Sequence, residues 1–293
     1  MTVIMPIDRN ADSWHSGSAA EFKLASIAAF VGVAAAVIFV GWPDLDLAVA
    51  RLFYIEPRHF LFSQSTLATI LRWSFRALTW GTAIAAVIGI VFALVKKSHL
   101  LGLNLAHWIF LALVLITGPG LIANVALKDH WGRPRPLYVT EFGGPDHFTP
   151  ALERSGSCAR NCSFVSGEAS ATFALGFAIA LLARRRRAEL MAAAVAAGGI
   201  AGLIRMGEGG HFFSDVVFAG VFMALDVAFI SWLMFHVLVP RAPEEAWWHD
   251  RTVALIAELQ ARSEAAVAAI RSWLLSKFPD TFGNRTGPGE PPA

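Results

Sequence analysis

Long apolar segments without charged residues restrict the fold of this sequence more than any other feature. A helix needs about 20 such residues to cross ~30 Å of hydrocarbon. Six segments of this kind run over Leu24–Gly41, Ala77–Val95, Leu100–Leu127, Ala169–Ala183, Leu190–Ile204 and Val216–Val239. The composition agrees, because 56% of the residues are hydrophobic and only 16% are charged, which excludes an ordinary soluble domain. We therefore predict an all-α fold, a bundle of six transmembrane helices.

Polar or amphipathic stretches flank the predicted membrane domain, residues 24–239. Residues 1–23 are predicted to be a cytoplasmic segment. The first apolar segment is predicted to be retained, because the Trp42-Pro43-Asp44 that follows is not a small-residue cleavage pattern. Residues 240–282 are predicted to form an amphipathic helix that lies at the membrane interface or binds a partner. Its apolar stripe consists of Val253, Ile256, Leu259, Val267, Ile270 and Leu274. Residues 283–293 are rich in Gly and Pro and are predicted to be disordered.

Basic residues in the short loops predict the orientation of the bundle. Lys96 and Lys97 follow the second segment and Arg184 to Arg187 follow the fourth, and loops rich in Lys and Arg remain in the cytoplasm. We interpret the arginine run as a topology anchor rather than a ligand site. The loops on the opposite side also contain many Lys and Arg residues, and that excess requires another explanation. The first of them contains residues 45–54, whose apolar spacing predicts a short helix on the membrane surface.

The loop after the third segment, LKDHWGRPRP, combines Lys128 with two Arg-Pro pairs. A proline forces the residue before it out of the helical region, so Arg133 and Arg135 are predicted to have extended backbone. An ammonium group and a planar guanidinium together suit a bound phosphate. Taken alone, the stretch is equally consistent with a juxtamembrane segment that contacts lipid headgroups.

A second group of polar residues, IRMGEGGHFFSD, lies between the fifth and sixth segments. Here Arg205 is followed by His211 and Asp215. If the last helix begins near His211, the two latter residues lie one turn apart, where a carboxylate orients an imidazole that acts as a nucleophile or base. A histidine near a helix end is alternatively a capping or interfacial residue. The neighbouring glycines permit close approach of a ligand or simply form a turn.

The stretch SFVSGEASATF places Glu168 after a Ser-Gly pair and directly before an apolar helix. An acidic residue at the mouth of a membrane helix is costly unless it has a function.

Three groups of residues resemble the three motifs of the type 2 phosphatidic acid phosphatase (PAP2) superfamily, whose site design is shared with vanadium-dependent haloperoxidases. They are Lys128 with Arg135, Ser166 with Gly167, and Arg205 with His211 and Asp215. The motifs occur in the family's order and at the ends of predicted helices. The resemblance implies a six-transmembrane helix bundle of the PAP2 type, which in this chain is followed by the C-terminal amphipathic helix.

The resemblance also implies a role for each of these residues. His211 attacks phosphorus to form a phosphohistidine, Asp215 fixes the tautomer of His211, and water hydrolyses the intermediate. The groups implied to stabilise the pentacoordinate state are Lys128, Arg135, Ser166, Gly167 and Arg205. No metal or other cofactor is implied. The expected partner is a lipid phosphate in the membrane, with no nucleic acid, and the oligomeric state is left open.

Two positions depart from the family's motifs. The middle motif is usually Pro-Ser-Gly-His, whereas this chain has Val165-Ser166-Gly167-Glu168, and Ile204 replaces the usual Ser before Arg205. Glu168 therefore occupies the position of the family's general acid. Two roles are open for it, as the acid that protonates the leaving group or as the partner of an active-site arginine.

The resemblance implies a lipid with a terminal phosphate as the substrate. Related membrane phosphatases act on phosphatidate, phosphatidylglycerol phosphate, undecaprenyl diphosphate, or the 1- or 4′-phosphate of lipid A. The stretch CARNCSFVSGEAS resembles bacterial lipid A phosphatases. A glutamate in place of histidine fits a diphosphate or a sugar 1-phosphate better than an alkyl phosphate, because a better leaving group needs less acid assistance. All three motifs are expected at the periplasmic face of a bacterial inner membrane.

Cys158 and Cys162 are the only two cysteines, and both lie in the loop that is expected outside the cytoplasm. An oxidising compartment allows a disulfide between them. Free thiols or a metal-binding pair are the alternatives, although the latter lacks further ligands.

The competing classes of protein are a transporter, a channel, or a phosphatase-like fold that binds lipid without turnover. Symmetry between the two halves would favour a transporter, and none is apparent.

Overall fold

The structure, a computed structural model, describes residues 17–96, 98–183, 185–238, 261–262, 264–273 and 275–276. The chain divides into two compact units, Met1–Pro243 and Glu244–Ala293. The predictions for residues 1–16, Lys97, Arg184 and the tail 283–293 fall outside the described residues.

Helices make up most of the first unit. They are α1 (Gly17–Gly41), α2 (Asp44–Arg51), α3 (Thr66–Lys96), α4 (Leu105–Leu115), α5 (Gly167–Leu182), α6 (Arg187–Gly207) and α7 (Phe213–Trp232). Helix α4 continues as a π-helix over Ile116–Lys128, and α7 continues as a π-helix over Leu233–Leu238. Between α2 and α3, the strands β1 (Tyr54–Glu56) and β2 (His59–Phe60) pair antiparallel. Two short 3₁₀-helices cover Pro136–Tyr138 and Thr140–Phe142.

Among the described residues, five helices are long and apolar enough to cross a membrane. These candidate spans are Ser18–Gly41, Thr66–Lys96, Leu105–Lys128, Arg187–Gly207 and Phe213–Leu238. The remaining predicted span corresponds to α5, whose 16 residues rise about 24 Å, less than the thickness of the hydrocarbon core. The all-α membrane bundle predicted from the sequence is confirmed. The fourth predicted span is the helix α5, which is shorter than the five candidate spans.

Small residues pack the short helix α5 against its neighbours. The Gly176 backbone lies against Ala194 of α6, and the ring of Phe173 in α5 covers Gly198 of α6. Such residues permit close approach of helices in a membrane protein. The Ala- and Gly-rich sequence of the fourth and fifth apolar segments therefore has a packing role.

Helix α3 begins at Thr66, well before the predicted start at Ala77. Arg72 and Arg76 interrupt the apolar pattern and end the predicted segment. Both arginines form ion pairs with Glu168 on α5, so the helix continues through them without isolated charges.

Two further helix boundaries differ from the prediction for physical reasons. Helix α1 begins at Gly17 instead of Leu24, and its buried Glu21 accepts a hydrogen bond from Ser231 of α7 at 2.7 Å. Helix α4 begins after Asn104, whose side chain caps the helix by accepting from His107 N–H at 3.1 Å.

The predicted site residues collect at one end of the bundle. Lys128 ends the π-helical extension of α4, and Arg205 lies in the last turn of α6. Glu168 and Asp215 lie in the first turns of α5 and α7. Arg72 lies near the start of α3 and contacts Glu168 at the site end of the bundle. Lys96 is the last residue of α3 and therefore lies at the opposite end of the bundle.

A second apolar cluster fixes α2 against the loops at the site end. Its buried members are Leu47, Ala50, Phe60, Val139, Phe142 and Phe212. The short helix predicted at residues 45–54 is present as α2, but it ends at Arg51 and Tyr54 belongs to β1. The buried face of α2 positions Asp46 towards α7.

In the second unit, the described residues are helical. Val267 and Ile270 of the predicted apolar stripe are exposed. Val253, Ile256, Leu259 and Leu274 fall outside the described residues, so the amphipathic helix at 240–282 stays a prediction.

Candidate active site

A buried ion-pair network forms the base of the candidate site. The Arg133 side chain is 0% exposed, and its Nη1 donates to Asp215 Oδ1 at 2.6 Å while Nη2 donates to Asp46 Oδ2 at 2.7 Å. Nη1 also donates to Ser214 Oγ at 2.8 Å, and Nε donates to Thr149 O at 2.8 Å. A buried guanidinium is costly unless it is paired and hydrogen-bonded. These contacts therefore fix the two carboxylates relative to one another.

Asp46 connects α2 to the start of α7. Its Oδ1 accepts from Ser214 N–H at 2.8 Å, and its Oδ2 accepts from the Ser214 hydroxyl at 2.5 Å. The Ser214 amide is one of the N–H groups that the first turn of a helix leaves without an internal acceptor. Burial raises the pKa of the Asp46 carboxyl, whereas the charge of Arg133 lowers it.

Asp215 accepts hydrogen bonds from the backbone next to His211 and from the Ser163 side chain. The Asp215 side chain is 0% exposed, and its Oδ2 accepts from Ser163 Oγ at 2.5 Å and from Phe212 N–H at 2.8 Å. The His211 ring contacts the same group, because its Nδ1 lies 2.6 Å from the Ser163 carbonyl oxygen and 3.6 Å from Asp215 Oδ2. Ser163 therefore links the carboxylate to the imidazole.

The tautomer of His211 follows from this contact. A carbonyl oxygen can only accept a hydrogen bond, so Nδ1 carries the proton and Nε2 carries the lone pair. The resemblance predicts that Asp215 fixes this tautomer. In the structure the Ser163 carbonyl is the closer acceptor, and Asp215 acts largely through Ser163 and Phe212.

His211 is held in its neutral form. Burial lowers the pKa of the imidazole to about 3, against the opposing effect of Asp215, and the positive charges of Lys128 and Arg205 lower it further. A neutral imidazole with its lone pair on Nε2 is able to act as a nucleophile at neutral pH.

The start of α5 supplies uncharged groups that suit a phosphate. Ser166 precedes the helix, and its buried hydroxyl makes no hydrogen bond with any residue that the structure describes. The first N–H groups of the helix, beginning at Gly167, have no acceptor within it and favour an anion. A methyl group on Gly167 would lie 3.5 Å from Lys128 Nζ and 3.2 Å from Asn124 Oδ1. Lys128 is therefore adjacent to this turn.

Lys128 and Arg135 converge on Asn161. Lys128 Nζ donates to Asn161 Oδ1 at 3.0 Å, and Arg135 donates to the Asn161 carbonyl oxygen from Nη2 at 2.7 Å and from Nε at 3.2 Å. The Arg135 backbone is extended, as its Arg-Pro pair predicts. Burial lowers the pKa of the Arg135 guanidinium, and the charge of Arg205 lowers it further. Lys128, Arg135 and Arg205 thus form one positive region.

Glu168 lies among three arginines. Arg72 Nε donates to Glu168 Oε1 at 3.0 Å and to Oε2 at 3.1 Å. Arg76 Nη2 lies 2.7 Å from Oε1, and Arg205 Nε lies 3.8 Å from Oε2. These contacts engage both carboxylate oxygens of Glu168 in ion pairs and hydrogen bonds with arginines. Of the two roles that the sequence leaves open, the geometry favours the arginine partner.

Glu208 extends this network. It accepts from Arg205 Nη1 and from Arg72 Nη1, the latter at 3.3 Å. Three arginines, Arg72, Arg76 and Arg205, thus face two glutamates, which leaves one net positive charge for an anionic ligand.

The structure brings all the predicted site residues to one place. It also joins Cys158 to Cys162 in a disulfide with Cα atoms 5.7 Å apart, in the loop that contains Asn161. Within the described parts of the chain, no three His, Cys, Asp or Glu side chains are grouped so that they could hold a metal ion.

Sequence reasoning missed several residues that hold the site. They are Asp46, Arg72, Arg76, Ser163, Glu208 and, as an ion-pair partner, Arg133. The sequence contains a signal for two of these residues. Arg72 and Arg76 lie four residues apart in an apolar stretch and therefore share a helix face. Charged residues in such a stretch indicate a function.

Comparison with known proteins defines the class to which this site belongs. Residues 105–240 match the PAP2 superfamily. The chain belongs to this superfamily, and it is a multi-pass membrane phosphatase, a phosphoric monoester hydrolase.

Two relatives of this chain are both lipid A 4′-phosphatases. The chain is 39% identical over 202 residues to the lipid A 4′-phosphatase of Francisella tularensis subsp. novicida (strain U112). The aligned region covers 68% of this chain and 90% of that protein. It is 31% identical over 193 residues to the lipid A 4′-phosphatase of Rhizobium leguminosarum, which covers 61% of this chain and 83% of that protein. No solved structure matches the chain significantly.

Replacement of Asp46 by Asn tests the buried network. We expect Asp46→Asn to lower the free energy of unfolding by about 3 kcal/mol or more, because it leaves part of the Arg133 charge buried without a partner. Thermal unfolding in detergent measures this loss. Asp44→Asn is the matched control, since Asp44 is exposed on the same helix. Equal melting temperatures for the two variants would show that the Asp46–Arg133 pair does not stabilise the fold.

Proposed function

We propose that this protein removes the 4′-phosphate of lipid A at the periplasmic face of a bacterial inner membrane, through a phosphohistidine on His211. The observation that carries the reaction is the arrangement of a neutral, buried imidazole beside Lys128 and Arg205. The substrate is inferred from the relatives, two of which are lipid A 4′-phosphatases covered over 90% and 83% of their length.

The position of the phosphate differs from the one that leaving-group chemistry favours. A diphosphate or a sugar 1-phosphate fits a glutamate at position 168 better, because such leaving groups need little acid. The relatives favour the 4′-phosphate, an ester of a sugar alcohol. We give the relatives more weight, since Glu168 is engaged by arginines and its identity says little about the leaving group.

The first step is attack by His211 Nε2 on phosphorus. The bond between phosphorus and the sugar oxygen breaks, and the oxygen departs with the electron pair. Nδ1–H remains hydrogen-bonded to the Ser163 carbonyl oxygen, so the positive charge that develops on the ring lies 3.6 Å from the Asp215 carboxylate. This carboxylate stabilises the phosphorylated imidazole.

The second step is attack of water on phosphorus, with return of the electron pair of the P–N bond to Nε2. Over both steps one water is consumed, because a proton ends on the sugar oxygen and a hydroxyl group ends on phosphorus. The reaction regenerates neutral His211.

Preorganised donors stabilise the pentacoordinate phosphorus in both steps. The proposed charged donors are Lys128, Arg135 and Arg205, and the proposed neutral donors are the Ser166 hydroxyl and the Gly167 N–H. Fixed donors of this kind are usually the largest contribution to catalysis, because they need no reorganisation during the reaction. The hydroxyl of Ser166, buried without a hydrogen bond to any described residue, suits this purpose.

The orientation of the site follows from the positive-inside rule. Lys96, Arg185 and Arg186 lie at the end of the bundle opposite the site. If this basic end is cytoplasmic, the site faces the periplasm.

Substitution of His211 tests the reaction and the substrate together. We expect His211→Ala to abolish phosphate release from lipid A, because no other group replaces the nucleophile. The control is His130→Ala, since His130 is exposed and its variant should retain activity. The measurement is phosphate release in detergent, with analysis of which phosphate is lost, from a panel of lipid A, undecaprenyl diphosphate and phosphatidylglycerol phosphate.

Orthovanadate, which mimics pentacoordinate phosphorus, should inhibit the wild-type enzyme. Activity that persists in His211→Ala would contradict the mechanism. Preferential turnover of undecaprenyl diphosphate or phosphatidylglycerol phosphate would contradict the substrate, and binding of lipid without release of phosphate would indicate a non-catalytic protein.

Substitution of Glu168 separates its two roles. If Glu168 anchors the arginines, Glu168→Gln should slow turnover of lipid A and of an activated aryl phosphate by the same factor. Loss of a general acid would instead slow the lipid by about 10²–10⁴-fold and the aryl phosphate far less, because the aryl leaving group needs no proton. Steady-state kinetics on both substrates distinguishes the two, with Glu153→Gln at an exposed position as the control.

A further inference from the structure

Two of the proposed phosphate-binding side chains make contact with a single residue outside the family's motifs. Asn161 accepts from Lys128 Nζ through Oδ1 and from Arg135 through its main-chain oxygen. The ammonium group and the guanidinium are thereby held next to each other despite their like charges. An acceptor shared by two cations offsets that repulsion and fixes their positions.

The backbone of Asn161 has the left-handed conformation, with φ of 52°. Asparagine tolerates this conformation better than most residues that carry a side chain. Its N–H donates to Asp129 Oδ1 at 3.1 Å, so the residue directly after Lys128 also contacts Asn161. The side chain, the carbonyl group and the N–H of Asn161 are all used.

The loop that contains Asn161 is fixed along the segment that follows α4. Cys162 N–H donates to Lys128 O at 3.0 Å, Cys158 N–H donates to Gly132 O at 3.1 Å, and Ser163 N–H donates to Arg133 O at 2.8 Å. The disulfide closes this loop into a ring with a sequence separation of four residues. A short covalent ring limits the conformations that Asn161 can adopt.

We propose that Asn161 is a positioning residue for phosphate binding, and that the Cys158–Cys162 disulfide holds Asn161 in the conformation that contacts both Lys128 and Arg135. The inference rests on the proposed function, because it assigns phosphate binding to those two cations. The inference adds that the phosphate affinity of the enzyme depends on the redox state of the Cys158–Cys162 disulfide. The enzyme has its full affinity in an oxidising compartment and a weaker affinity when the bond is reduced.

The first test removes the side chain of Asn161 without straining its backbone. Asn161→Gly keeps the left-handed conformation and the main-chain oxygen and removes the acceptor of Lys128. We expect the inhibition constant of orthovanadate to rise about tenfold and kcat/KM for lipid A to fall by a similar factor, because a hydrogen bond to a charged group that stabilises the pentacoordinate phosphorus is lost.

The matched control is Arg160→Ala in the same ring. The Arg160 side chain is 85% exposed and lies 3.9 Å from Asp129, so its removal should leave both constants unchanged. A purely structural role of Asn161 would lower the amount of active enzyme and therefore kcat, with the vanadate constant unchanged. That result would overturn the inference.

Combination with a lysine variant shows whether Asn161 acts through Lys128. Lys128→Ala alone should weaken vanadate inhibition, and addition of Asn161→Gly should weaken it little further, because the contact is already absent. Full additivity of the two losses would contradict an action through Lys128.

Reduction of the folded wild-type enzyme is an independent test that needs no variant. The chain has two cysteines, both in this ring, so a reductant acts on one bond within the chain. We expect reduction to raise the vanadate constant in the same direction as Asn161→Gly. A Cys158→Ser, Cys162→Ser variant should show the raised constant and no response to the reductant.

Unchanged vanadate inhibition after complete reduction would overturn the role of the disulfide. The inference and the proposed function fail in different ways. If His211→Ala is inactive while Asn161→Gly matches the wild type, the inference is wrong and the proposed function stands. If His211→Ala is active, the proposed function itself is wrong.

Discussion

Arg133 has no exposed surface, and its charge is balanced inside the protein by Asp46 from α2 and Asp215 from α7. Two carboxylates that would otherwise repel each other are thereby held by one guanidinium. Asp215 in turn binds the Ser163 hydroxyl and the Phe212 amide, and the Ser163 carbonyl sets the tautomer of His211. The imidazole of His211 is therefore positioned through a chain of hydrogen bonds that begins at a buried ion pair. A buried ion pair contributes little net stability, but the loss of one partner is costly because it leaves a buried charge unpaired. The ion pairs of Arg133 therefore favour the one geometry in which Asp46 and Asp215 both contact it.

The arginines of this end of the bundle divide into two kinds. Arg133 is fully neutralised and buried, which makes it a part of the framework. Arg72, Arg76 and Arg205 share two glutamates and leave positive charge unpaired. Among the described residues, the side chains of Lys128 and Arg135 have only the neutral Asn161 as a hydrogen-bond partner. A dianionic phosphate monoester would offset most of this positive charge. The need to bind an anion also explains why many Lys and Arg residues lie at this end of the bundle, which the positive-inside rule alone would leave poor in positive charge.

The sequence predicts the charged and polar residues that the fold collects at one end of the bundle, but it does not predict the residues that hold them there. Lys128, Arg205 and His211 stand in spaced motifs, and a combination of motifs is specific. Asp46 and Ser163 are missed because their partners lie far along the chain, at Arg133 and Asp215, and no periodicity links such positions. The start of α3 is misplaced for the same reason, because Arg72 is unfavourable in an apolar helix until Glu168 is known to face it. The assignment of Glu168 as an acid rests on its position in the motif, whereas its three arginine neighbours are visible only in three dimensions.

The stereochemistry at phosphorus tests the central claim, a covalent phosphohistidine, most directly. Each in-line displacement inverts the configuration of phosphorus, so attack by His211 followed by attack of water gives two inversions. The measurement uses a lipid phosphorothioate made chiral at phosphorus with two oxygen isotopes, hydrolyses it in water that carries the third isotope, and determines the configuration of the inorganic thiophosphate that is released. We predict overall retention of configuration. Overall inversion would mean that water attacks the substrate directly, and it would contradict a nucleophilic role for His211.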